Sequence, residues 1–130
     1  MDKLQSIAAP CGRILISFMF IYYGLTKISG YAGTQGYMEA MGVPGALLPL
    51  VIAVEILGGL AVLLGWHARV AAFLLAGFTL LSALIFHSNL EDQMQMIMFM
   101  KNVAIAGGFL MIVATGAGAY ALDNRSQREV

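Results

Sequence analysis

The chain has 130 residues and a formal net charge of zero; 60% of its residues are hydrophobic and only 11% are charged, with a mean hydropathy of +0.84. Soluble domains run at about half apolar and about a quarter charged, so this composition excludes a soluble enzyme and places the chain in lipid. The zero charge balance and the lack of a long basic run argue against nucleic-acid binding. A single cysteine, Cys11, excludes an intrachain disulfide, a redox-active cysteine pair and a cysteine cluster for zinc or iron–sulfur.

In chain order, four apolar segments mark helical spans at about 12–28, 47–66, 70–87 and 96–116, each near the length that crosses a hydrocarbon core of about 30 Å. They are too long and too uniformly apolar to be the alternating strands of an outer-membrane barrel. The expected fold is therefore all-α, a four-helix integral membrane bundle forming one domain over residues 1–130. The longest connection runs from Gly30 to Pro44. Its Tyr31, Tyr37, Met38 and Met41 recur at near-helical spacing beside Gln35 and Glu39, which predicts a short amphipathic segment at the interface. Pro44 and Pro49 then sit where the second span begins, at positions that need no backbone N–H.

Lys3, Arg13, Arg69, Arg125 and Arg128 fall on the side shared by both termini, against Lys27 and Lys101 on the other. This places both termini in the cytoplasm. Arg13 and Arg69 read as topology signals, and Arg13 lies close enough to its span boundary to pair with Asp123 or Glu129. Small residues at Gly58-Gly59, Gly107-Gly108 and Thr115 to Ala119 predict that the second and fourth spans pack together.

The polar residues inside these spans carry the functional argument. Glu55 lies about 12 Å into the second span and Lys101 about 7 to 9 Å into the fourth, on the same outer half, so the two are expected to pair. Asn102 adjoins Lys101, Lys27 ends the first span and His87 ends the third. The cluster of Glu55, Lys101, Asn102, His87 and Lys27 has two readings. A buried Glu–Lys pair can serve only to fix helix register. Intramembrane ionisable residues also mark substrate and proton paths, and that reading makes the cluster a ligand pocket. His67 and His87 lie on opposite sides of the bilayer, which disfavours bis-histidine haem ligation within one chain. Met94, Met96, Met98 and Met100 alternate and so divide between helix faces, which argues for packing over copper binding.

The stretches GRILISFMFIYYGLTKISGY, MGVPGALLPLVIAVEILGGLAVLLGWHARVAA, IFH and FMKNVAIAGGFLMIVATGAGAYALD resemble the DoxX family of small four-helix bacterial membrane proteins. The landmarks, in order, are Arg13, Gly24 with Lys27, Gly42 with Pro44, Glu55, Gly65, Arg69, His87, and Lys101 with Asn102. The resemblance implies a multi-pass inner-membrane protein linked to redox complexes and quinone. With no intrinsic flavin, haem or metal motif in the chain, the redox centre would come from a bound quinone or a partner subunit. The partners expected are the lipid bilayer, a redox subunit or further copies of the chain. A non-catalytic assembly subunit and a small permease remain the alternatives.

Overall fold

The computed structural model describes residues 3–124. Five α-helices follow in order: α1 (Lys3–Ser29), α2 (Tyr31–Ala40), α3 (Leu48–Leu64), α4 (Ala68–Phe86) and α5 (Gln93–Thr115). A single turn of 3-10 helix, Gly45–Leu47, leads into α3. Four of these segments are long and apolar enough to cross a membrane, α3 being counted together with its entry turn. Helix α2 occupies the connection from Gly30 to Pro44.

Local chemistry sets the boundaries. Pro49 falls within the first two positions of α3, where its missing N–H costs nothing. Gly65 ends that helix in the left-handed region at φ 71°, a conformation open to glycine without steric penalty. Asp92 caps α5 by accepting from the Met94 backbone N–H at 3.0 Å. Two boundaries differ from expectation. Helix α1 begins at Lys3 rather than near residue 12 and runs through Pro10, because a proline about two turns into a helix removes one backbone bond while the flanking ladder continues. At the other end α5 stops at Thr115, so Gly116 to Ala119 offer no helical packing face.

The helices pair chiefly as α1 with α3 and α4 with α5, with α3 against α4 joining the two pairs. The expected pairing of α3 with α5 is not among these main contacts. The reason lies in where small residues permit close approach. A Cβ on Gly24 of α1 would fall 2.6 Å from Ile56, and one on Gly59 of α3 would fall 2.9 Å from Ile21, so this seam closes to backbone distance. Gly107, by contrast, faces open space. On α4 the buried alanines Ala72 and Ala76 share one core with Ala106 of α5. Phe20 and Phe109 meet edge to face at 5.3 Å in that core and tie α1 to α5. Lipid tails are as apolar as these side chains, so shape and dispersion hold the bundle rather than expulsion of water.

At the end of the bundle that carries the termini, Arg13 is buried at 3% exposure. Its Nη1 donates to the Leu63 carbonyl at 2.9 Å. Its Nη2 donates to the carbonyls of Ala119 and Tyr120 at 2.7 and 2.9 Å. Asp123 does not pair directly with it; that carboxylate accepts from the backbone N–H groups of His67 and Ala68 at 2.6 and 2.9 Å. Asp123 N–H in turn donates to the Gly65 carbonyl at 2.9 Å. Arg13 is thus a structural tie: it occupies carbonyls left over at the C-terminus of α3 and in the segment after α5. Arg125, Arg128 and Glu129, which entered the charge argument, lie outside the described residues.

Arg13→Leu removes every donor from those three carbonyls, and is expected to lower stability by about 2–4 kcal/mol, given ~1.5–3 kcal/mol for a hydrogen bond to a charged group. Exposed Arg69→Leu is expected to change it by less than about 0.5 kcal/mol. Thermal unfolding of both variants in one detergent tests the contrast.

Candidate functional site

Glu55 is the deepest charge at the α2 end of the bundle, 5% exposed on the face of α3 that meets α1. Gly24 lies directly opposite: a Cβ there would come within 3.4 Å of the Glu55 Cβ and 2.6 Å of Ile56. The glycine therefore lets α1 approach closely enough for Lys27, one turn further on, to reach across. Lys27 Nζ stands 2.8 Å from Glu55 Oε1, and this is the ion pair found among the described residues. Lys27 keeps 28% of its side chain exposed against 7% for Glu55, so the lysine enters from the rim and the carboxylate forms the floor.

The expected partner, Lys101, is not there. Its side chain is exposed on α5, because the main packing of α5 is against α4. Asn102, half-buried, donates from Nδ2 to the Thr79 carbonyl at 3.3 Å and so bridges α5 to α4. His87 caps the C-terminus of α4, and its Nδ1 lies 3.1 Å from Gln95 Oε1. Of the five residues singled out in the sequence, Glu55, Lys27 and His87 line one cavity; Lys101 and Asn102 do not.

That cavity has a volume of about 400 Å³. Leu50, Val51 and Val54 of α3 form one wall, and Phe78, Leu81 and Ile85 of α4 form the other. Helix α2 supplies the roof through Thr34, Tyr37 and Met38. The roof is fastened at several points: Met38 is buried, Tyr37 stacks on Phe86 at 5.4 Å, and Gln35 Nε2 donates to the Gly45 carbonyl at 3.1 Å. Leu50 and Leu81 are exposed at the rim, so the space opens sideways, where lipid would lie, between α3 and α4. Ser82 is the remaining polar side chain on the α4 wall. A largely apolar hollow with a few convergent polar groups is the usual form of a small-molecule site, and its volume is within the ordinary range.

Sequence reasoning missed the contribution of α2 and the aromatic wall of α4. It also missed that Lys27 belongs to a regular stripe. Arg13, Ser17, Phe20 and Gly24 are the buried residues of α1, and Lys27 continues their 4-3-4-3 spacing, the repeat that keeps one helix face against a neighbour. That spacing could have pointed Lys27 toward α3.

The fold and this cavity define a small four-span membrane protein with a charged pair at the base of an apolar hollow. The chain belongs to the DoxX family, whose model matches residues 9–88. It is 54% identical over 123 residues to the inner membrane protein YqjF of Escherichia coli (strain K12), covering 95% of each chain. It is 39% identical over 120 residues to the inner membrane protein YphA of the same organism, covering 87% of this chain and 86% of that one. A Bacillus subtilis (strain 168) protein named "Putative oxidoreductase CatD" is 27% identical over 114 residues, covering 82% of this chain and 84% of its own. These relatives and the four apolar spans identify an inner membrane protein. No solved structure matches the chain.

The asymmetry of the ion pair has a measurable consequence. Lys27→Met strands a carboxylate in the protein interior and is expected to cost about 3 kcal/mol, near the lower end for breaking a buried pair. Glu55→Gln leaves a lysine that can swing to the rim, and is expected to cost less than half as much. The double variant Lys27→Met/Glu55→Leu is expected to recover most of the loss. Unfolding temperatures in detergent for the three variants check the order.

Proposed function

We propose that this DoxX-family protein is the membrane subunit of a quinone-linked redox complex and holds the quinone head in the cavity under α2. The observation that carries the reading is the Lys27–Glu55 pair at the base of an otherwise apolar hollow that opens sideways. A charge pair in that position is costly in lipid and is typical of a place where a ligand or a proton is handled.

The donor set suits such a head in both redox states. An oxidised ring offers carbonyl oxygens, which only accept hydrogen bonds; the Lys27 ammonium supplies donors and no acceptor. A reduced ring offers hydroxyls, and the Glu55 carboxylate accepts from them. His87 is able to do either, according to which ring nitrogen carries the proton. Phe78, Phe86 and Tyr37 present aromatic surface to a flat ring. When bound, the quinone supplies the two-electron chemistry; the side chains orient its head, exclude water and hold a proton at the Glu55 carboxylate.

The name of the Bacillus subtilis relative supports an oxidoreductase setting. With both termini cytoplasmic, as the distribution of basic residues implies, the cavity faces the outer half of the bilayer. In this reading the electron donor or acceptor is a partner subunit. Lys101 favours a docking role for α5: it stands exposed between Met100 and Ala104 on an apolar helix surface, where a carboxylate on a partner's span would meet it.

The test is the quinone content of the protein extracted in native-lipid discs, compared with bulk membrane. Enrichment of at least about threefold is expected for the wild-type chain, lost in Glu55→Gln and in Lys27→Met, and retained in Lys101→Met. Equal quinone content in discs and bulk membrane overturns the proposal in favour of a structural or assembly role.

A further inference from the structure

The cavity under α2 does not end at Glu55. A second hollow of about 320 Å³ lies further along the same seam, toward the terminal end, and Val54 lines both. The residues repeat at helical intervals without a break. On α3 and its entry turn the first hollow is lined by Leu47, Leu50, Val51 and Val54, and on α3 the second by Val54, Leu57, Gly58 and Ala61. On α4 the lining passes from Ile85, Ser82 and Phe78 in the first to Leu75, Ala71 and Val70 in the second. The two hollows adjoin at Val54 on the same α3–α4 seam and together span about 20 Å from Leu47 to Ala61 at 1.5 Å per residue.

The two stretches differ in chemistry. The first has Lys27, Glu55, Tyr37 and His87. The second is apolar until its far end, where Trp66 and His67 close it. Its depth comes from small side chains: Gly58 abuts Leu75, whose side chain would lie 3.1 Å from a Cβ at that position, and Ala61 and Ala71 flank it. Exposed Leu57, Val70 and Leu74 form the rims. The groove therefore matches a molecule with a compact polar head and a long unbranched or prenyl chain, and is longer than any head group alone requires.

We infer that the α3–α4 seam is a tail-binding groove, and that the ligand of this protein is a long-tailed amphipath whose head sits over Lys27 and Glu55 and whose chain runs past Val54 and Gly58 to Trp66. The inference rests on the reading of the cavity as a quinone-head site and names the class of quinone it takes. Since the chain would otherwise lie among lipid tails, selectivity comes from packing against the groove rather than from leaving water. The preference it gives is accordingly modest.

Trp66 is the single tryptophan of the chain and lines the far end of the groove, which makes it a reporter. The full chain is placed in bilayers of defined phospholipid, and three probes are compared at matched mole fraction: a tailless benzoquinone, the same head on a long polyprenyl tail brominated near its end, and a tail-brominated phospholipid. The brominated quinone is expected to quench Trp66 saturably and at least about threefold more than the brominated phospholipid. It is also expected to displace the tailless quinone with about fivefold higher apparent affinity, the order that a set of added dispersion contacts gives. Ala61→Phe fills the groove and is expected to abolish the saturable quenching while leaving binding of the tailless quinone unchanged. Ala53→Phe, in the wall of the second hollow next to Val54, serves as a second, independent filling variant should the first fold poorly. Binding of both quinones without saturable quenching, or quenching no greater than that by brominated phospholipid, overturns the tail groove and leaves the head site standing. Failure of both quinones to bind overturns the head site and the tail groove together, whereas binding of the tailless quinone alone overturns only the groove.

Discussion

The seam between α1 and α3 is the constraint on which the rest of the structure depends. One stripe of α1 faces α3, with Arg13 at one end, Lys27 at the other, and Ser17, Phe20 and Gly24 between them. The middle closes because Gly24 and Gly59 allow the backbones to approach. Each end is occupied by a cation that lipid cannot solvate. Arg13 finds backbone carbonyls, including Leu63 O on α3, and Lys27 finds Glu55 on the same helix. Sliding α1 along α3 would undo both contacts at once, so the two polar ends set the register that the apolar middle leaves free.

That register also creates the cavity. With Glu55 held toward α1, the part of α3 nearest α2 and the facing part of α4 line the hollow that α2 roofs. The two chemistries of the site thus come from different helices for different reasons. Its charge comes from the tight α1–α3 seam, and its apolar walls come from the looser contact of α3 with α4. The polar groups of the cavity thus sit on rigid elements, while Leu50 and Leu81 leave its rim exposed.

Helix α5 stands outside this arrangement. It is bound to α4 through alanines and Phe109, and to α1 through the Phe20–Phe109 contact. Its exposed surface carries Lys101. The family model matches residues 9–88, which hold most of α1, all of α2 to α4 and every residue of the cavity, whereas α5 lies beyond that match.

Much of this was legible in the sequence. Four apolar runs of membrane-spanning length determine an all-α membrane fold, because the backbone in lipid has no other way to satisfy its hydrogen bonds over such lengths. The helix between residues 30 and 44 followed from the spacing of its aromatic and methionine residues. That Glu55 would be buried against other protein groups was legible, since a lone carboxylate at that depth in lipid is costly. Its partner was not. Lys27 and Lys101 are both lysines near the same end of the bundle, and depth along a helix axis does not tell which neighbour lies alongside. That choice was made by the Gly24 and Gly59 contacts between α1 and α3, by the alanine face that drew α5 onto α4, and by the rotation of each helix about its axis. The burial of Arg13 was hidden for the same reason, its acceptors being carbonyls that no side-chain pattern announces. The sequence by itself determined the spans and the presence of buried charge; the tertiary structure decided who pairs with whom and where a cavity remains, because those depend on how closely particular helix faces can approach.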